Sequence, residues 1–105
     1  MNSRVLIIDD SVAVHRLVEV WLRPLNVEFA TAFGCEDGFR LARTLRPDLI
    51  LLDLSLKDGD GLKLCKQLKS DPLVSTTPIV FLSAETRSEE KVKALDLGAL
   101  DFIVK

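Results

Sequence analysis

The sequence predicts a single α/β domain built on an open parallel sheet, and three observations point there. Short apolar runs alternate with amphipathic stretches along all 105 residues. Three of the runs hold four consecutive apolar residues, as strands covered on both faces do. The order is strand then helix four times over, closed by a last strand; this (βα)₄β pattern winds into a parallel sheet through right-handed crossovers.

The strands read as "RVLIID" (4–9), "VEFATA" (27–32), "DLILLD" (48–53), "PIVFLS" (78–83) and "DFIV" (101–104). The second is the most polar and fits an edge. Ser11 is a good N-cap for the first helix, in which Val14, Leu17, Val18, Trp21 and Leu22 recur at helical spacing until Pro24. Trp21 is expected in the core. Cys35, Phe39, Ala42 and Leu45 mark the second helix, which Gly38 weakens by about 1 kcal/mol relative to alanine. Asp60 caps a third, with Leu62, Cys65 and Leu68 on its buried side. Thr86 and Glu89 form a capping box for a fourth, with Val92 and Leu95 inside and Gly98 as a left-handed stop.

Composition narrows the function. The length suits one domain, without an internal boundary. Net charge is −2, with acids and bases interspersed, so there is no basic stripe and no direct nucleic-acid binding is expected of this segment. The apolar runs are too short to cross a membrane, and the N-terminus has no secretory pattern. Cys35 and Cys65 lack metal-ligand spacing and read as reduced thiols on helices, in keeping with a cytoplasmic protein.

In open parallel sheets, ligands sit beyond the carboxyl ends of the strands. The first strand ends in Asp9 and Asp10, the third in Asp53, the fourth in Ser83 and the fifth in Lys105. If the first and third strands are neighbours, three carboxylates converge and repel unless a cation or a proton joins them. An all-oxygen set suits a hard divalent ion, Mg²⁺, which also recruits phosphate oxygens. A lysine and a hydroxyl would serve the other oxygens of a phosphoryl group, with Asp53 as nucleophile. Singly these residues are ordinary turn and surface chemistry. The signal is that all fall at the same end of successive strands.

The stretches "VLIIDDS", "RPDLILLDLSLKDGDG", "TPIVFLSA" and "ALDLGALDFIVK" together resemble the receiver domain of bacterial two-component response regulators, and the likeness covers the whole chain. The resemblance implies a flavodoxin-like, doubly wound five-stranded sheet of order 2-1-3-4-5, with residues 1–105 as one receiver domain lacking its usual fifth helix. It implies that Asp53 is the phosphoacceptor. Asp10 would bind Mg²⁺ directly, Asp9 mainly through a water, with Asp53 and the Ser55 carbonyl completing the set. Lys105 would contact the phosphoryl group; Ser83 would swing to hydrogen-bond it, and Phe102 would turn inward as the switch aromatic. Ser55 and Glu85 would flank the attacking water and tune dephosphorylation. The switch is a population shift toward the loop arrangement that satisfies the new charge. The implied partners are a sensor histidine kinase or phosphotransfer protein, an effector domain beyond Lys105 or a separate effector, and a second copy of the chain. Such a module changes the face of its fourth helix and fifth strand, and turns over no external metabolite.

Two other readings compete. An Mg²⁺-dependent phosphatase or phosphotransferase with an aspartate nucleophile usually carries a second acid two residues on, where this chain has Ser55, and usually needs a cap domain. A docking module independent of phosphorylation would not need the full set of Asp9, Asp10, Asp53, Ser83 and Lys105. His15, beside the apolar stripe, reads as a surface or boundary residue. Phe29, Phe33 and Phe39 read as packing residues, and "RSEEKVK" (87–93) as a solvated helix face.

The chain departs from the family pattern in three places. Leu56-Lys57 stands where Met-Pro is frequent, and Leu100 replaces an often polar residue near the output face. The family also continues past the position of Lys105 with a proline and a fifth helix. A parallel sheet needs helices on both faces, so losing one bares an apolar patch of the kind that marks an interaction site. The expectation is a longer polypeptide, a truncated form, or a second chain over the gap. The 105-residue chain alone should then bind a hydrophobic dye; a dilute monomer that binds none overturns this.

Overall fold

Five long strands share one parallel sheet, and the register between them decides what meets at its edge. The structure, a computed structural model, describes residues 3–83, 92, 93 and 95–104. In chain order these form β1 (Arg4–Ile8), α1 (Val12–Leu22), a 3₁₀ turn (Arg23–Leu25), β2 (Glu28–Ala32), α2 (Cys35–Leu45), β3 (Leu49–Asp53), β4 (Ser55–Leu56), β5 (Gly59–Asp60), α3 (Gly61–Ser70), β6 (Ile79–Ser83) and β7 (Asp101–Val104). The sheet order is β2-β1-β3-β6-β7, so the long strands taken alone follow 2-1-3-4-5. The polar strand β2 lies at the edge, as expected. Strands β4 and β5 pair as a separate antiparallel hairpin, which two-residue arms are too short to announce in sequence.

Alternation of side chains splits the core into two layers. Leu6, Ile8, Ile50, Leu52, Ile79 and Phe81 face α2 and α3, where Ala42, Leu64, Cys65 and Leu68 are buried. Val5, Ile7, Leu51, Val80 and Leu82 face the other way, onto Val18 of α1. The sheet is therefore doubly wound and flavodoxin-like, with helices on both faces.

Helix α1 starts as expected, its Ser11 hydroxyl accepting the Val14 N–H at 3.3 Å, but its buried face is rotated from the expected one. At about 100° per residue, Val14, His15, Val18 and Leu22 share one arc, and Leu17 and Trp21 fall to its side. His15 and Val18 are buried, whereas Leu17 and Trp21 are 47% and 55% exposed. Trp21 is thus not a core residue. It lines an apolar groove of about 180 Å³ together with Val18, Leu22, Leu51, Leu82 and Ile103. Phe33 is 47% exposed but packs one face against a buried ring of α1, while Phe29 and Phe39 pack against the two core layers.

Asp60 caps α3 by accepting the Leu62 N–H at 2.8 Å. The expected capping box at Thr86 and Glu89 lies outside the described residues. Val92 and Leu95 have helical backbone and are exposed. Gly98 has φ +99°, the left-handed stop read from the sequence.

Gly38 has a packing reason. A Cβ built there would lie 2.8 Å and 2.9 Å from Cδ1 and Cγ2 of Ile8, a fully buried residue of β1. Gly38→Ala should therefore lose stability despite alanine's better helix propensity, by about 1–3 kcal/mol of overpacking. Urea denaturation of the variant checks this; a gain in stability would mean that α2 can ride up off the sheet at no cost.

Candidate functional site

Strand β1 runs one residue past its last assigned position, since the Asp9 N–H bonds the Ala32 carbonyl at 3.0 Å. Ile8 pairs with Leu52 across to β3, so the acids that follow each strand come side by side. Asp9 is fully buried, Asp53 is 4% exposed and Asp10 is partly exposed. One carboxylate oxygen from each of the three lies within 4.8 Å of the others. Two unit negative charges at that distance repel by roughly 3–4 kcal/mol at an effective dielectric of 20.

Backbone amides offset part of that repulsion. Ser11 N–H donates to Asp9 Oδ1 at 2.9 Å, Lys57 N–H to Asp10 Oδ2 at 2.9 Å, and Ser55 N–H to Asp53 Oδ1 at 3.2 Å. Three carboxylates with only oxygen donors are the chemistry that a small divalent cation such as Mg²⁺ takes, so the residues present fit the ion expected from the sequence.

The other expected site residues divide. Ser83, 2% exposed, ends β6, and Asp53 pairs with Leu82, the residue before it. Ser55 opens β4 two residues after Asp53 and is exposed. Phe102 sits on β7 opposite Phe81, its backbone alone being described. Glu85 and Lys105 lie outside the described residues. The structure thus brings Asp9, Asp10 and Asp53 together, with Ser83 at the end of the adjoining strand.

His15 overturns its expectation as a surface residue. It is 3% exposed, its Nε2 lies 2.7 Å from the Asp9 carbonyl oxygen, and Phe33 covers its ring at a centroid distance of 4.6 Å. A carbonyl can only accept, so Nε2 carries the proton and donates. His15 Nδ1 is buried without a hydrogen-bond partner among the described residues. The only available sequence signal was its place in the first turn of a helix that starts just after Asp10, where side chains can reach back to the strand end. His15 therefore supports the backbone that presents both acids.

Both cysteines are free, one each on α2 and α3. Burial pushes the Cys35 thiol up to about 11, helped by the charge of Asp58, its hydrogen bond to Asp58 and the charge of Asp60. Burial also raises Cys65, against a lowering by Lys69.

A family model described as the response regulator receiver domain matches residues 5–105. The chain belongs to that family. It is 36% identical, over its whole length, to the alkaline phosphatase synthesis transcriptional regulatory protein PhoP of Bacillus subtilis, and covers 43% of that protein. It is 34% identical to the response regulator PleD of Caulobacter vibrioides, of which it covers 23%. This receiver domain thus spans less than half the length of these relatives. Among solved structures, the Vibrio cholerae chemotaxis protein CheY4 matches all of it with a TM-score of 0.92 at 28% identity, the match covering 88% of that chain. A response regulator structure from Chloroflexus aurantiacus matches with 0.93 at 30% identity, over all of this chain and 86% of that one.

His15→Leu removes the hydrogen bond to the buried Asp9 carbonyl and should cost about 1–3 kcal/mol in urea unfolding. His15→Gln, which keeps an N–H at similar reach, should recover part of the loss. Equal losses in both variants would assign the effect to ring packing against Phe33.

Proposed function

We propose that this receiver domain is a phosphorylation-controlled switch whose acceptor is Asp53. The observation that carries this reading is the convergence of Asp9, Asp10 and Asp53 at the carboxyl edge, with oxygens within 4.8 Å. The phosphoryl group comes from a phosphohistidine of a sensor kinase or phosphotransfer protein. An Asp53 oxygen attacks phosphorus in line, the P–N bond breaks, and the imidazole leaves. Mg²⁺, held by the three carboxylates and the Ser55 carbonyl, would neutralise charge on the transferring group. Asp10 would hold the ion directly and Asp9 mainly through a water.

The chain's own groups do the rest. The Ser55 N–H orients Asp53 by its bond to Oδ1. Lys105 contacts a phosphoryl oxygen, and Ser83 donates its hydroxyl to another. The movement of Ser83 vacates space into which Phe102 turns, shifting the population toward an active face on β7 and the helix before it. Ser55 and Glu85 govern how water reaches the aspartyl phosphate. The product is a signalling state with no external metabolite consumed.

The relatives named as transcriptional regulators are longer than this chain, which supports an output through a linked domain or a separate effector. A second copy of the chain is a further partner. The apolar groove between Trp21 and Ile103 is a surface that an additional helix, its own or a partner's, would cover. Among the described residues no helix is long and apolar enough to cross a membrane, and the reading places the switch in the cytoplasm.

Incubation with Mg²⁺ and a small-molecule phosphodonor, followed by intact mass, tests the reading. A stoichiometric, hydroxylamine-labile adduct should form, and Asp53→Asn should abolish it. Steady hydrolysis of added phosphate esters without an adduct would sink the switch in favour of a phosphatase.

A further inference from the structure

The β4–β5 hairpin begins two residues after Asp53, and its turn is Lys57-Asp58, with Leu56 paired to Gly59 across it. Both turn residues are clipped to other elements. The Lys57 N–H donates to Asp10 Oδ2 at 2.9 Å. Asp58 reaches the other way: both its carboxylate oxygens accept the Cys35 N–H, each at 3.0 Å.

Cys35 is the first residue of α2, and the N-cap residue is Gly34, which has no side chain to accept a bond. The first N–H groups of a helix need an outside acceptor. Here it comes from 23 residues downstream, carrying a negative charge that the helix N-terminus favours. Gly34 is what admits it. A Cβ there would stand 2.5 Å from Asp58 Oδ2 and 3.0 Å from its Cγ. A cap supplied by residue 34 itself and the cap supplied by Asp58 exclude each other, and the chain uses the second.

We propose that Asp58 is a positioning residue for the acceptor site: by capping α2 from across the site, it holds the hairpin turn so that Asp10 and Ser55 stay in register with Asp53. The turn hangs from β3 at one end and α3 at the other, and its own two-residue arms are a weak ladder. Without the Asp58 anchor, the Lys57 amide and the Ser55 carbonyl move relative to the three carboxylates. The inference rests on the acceptor reading above and extends it to a residue that touches neither ion nor phosphoryl group. Groups hydrogen-bonded to metal ligands commonly carry 10–100-fold of metal affinity; Asp58 acts one step further out, through the turn that carries the Lys57 amide.

The test compares wild type with Asp58→Asn and Asp58→Ala in the whole 105-residue chain, by calorimetric titration with Mg²⁺ alone. Asparagine keeps an oxygen that can accept the Cys35 N–H but loses the charge. Positioning predicts that Asn binds Mg²⁺ within about threefold of wild type and that Ala binds about tenfold more weakly. Equal weakening in both would make Asp58 a mere distant charge, and no weakening in either would remove it from the site; each result overturns the proposal.

Disulfide-reagent labelling, mapped to Cys35 by peptide mass, reports the clasp itself. In wild type labelling should be slow near neutral pH and quicken as the pH rises, because burial and the Asp58 charge push the thiol up to about 11. In Asp58→Ala the onset should move to lower pH, because the neighbouring charge and hydrogen bond are gone; an unmoved onset argues against the clasp. If the variants sort as stated but no adduct forms on Asp53, the acceptor reading fails and the tether stands. If the adduct forms and the variants do not sort, the tether alone fails.

Discussion

Like-charge repulsion among Asp9, Asp10 and Asp53 is the constraint around which this domain is arranged. The register of β1 against β3, with Ile8 beside Leu52, forces the acids that follow into one place. The rows behind them are fully buried and leave no slack for the carboxylates to drift apart. The backbone amides of Ser11, in the β1–α1 segment, and of Ser55 and Lys57, in the β3–α3 segment, each donate to one carboxylate oxygen. What remains is an excess of negative charge of the kind that a small divalent cation fits.

The same rigidity gives the site a route outward. Leu54 N–H bonds the Leu82 carbonyl at 3.0 Å, tying the residue after Asp53 to the residue before Ser83. β6 in turn pairs with β7 along Val80 to Ser83. A change at Asp53 is therefore one strand from Ser83 and two from Phe102. β7 closes the sheet, and Ile103 on it borders the apolar groove shared with α1. The acidic cluster at the carboxyl edge and the apolar groove are joined through two strands, not through a long chain of side chains.

Loops at such an edge need restraints that strands do not. Two polar side chains supply them. His15 holds the β1–α1 segment from beneath, through the Asp9 carbonyl. Asp58 holds the β3–α3 segment from the side, through the first amide of α2. Each joins a side chain to a backbone group of another segment, a bond that fixes a loop without adding a charge inside the carboxylate cluster.

Much of this was legible in the residues. Strands buried on both faces write themselves as unbroken apolar runs, so β1, β3 and β6 were readable, and the polar β2 fell at the edge for the same reason. Local caps were readable too, since Ser11 and Asp60 act on amides two or three residues away. The acidic residues at the strand ends followed once the strands were placed. The rotation of α1 did not: Trp21 and Leu17 satisfy the apolar spacing as well as Val14 and Leu22 do, and only the shape of the sheet beneath selects the arc that is buried. His15 was misread for a related reason, because its partner is a backbone carbonyl, which has no letter in the sequence. The β4–β5 hairpin stayed hidden because its arms are two residues long, and the Asp58 cap and the Lys57 bond to Asp10 because they join segments 23 and 47 residues apart. Local pattern encodes which residues want burial or a cap; which distant group answers them is set when the sheet closes and brings the loops face to face.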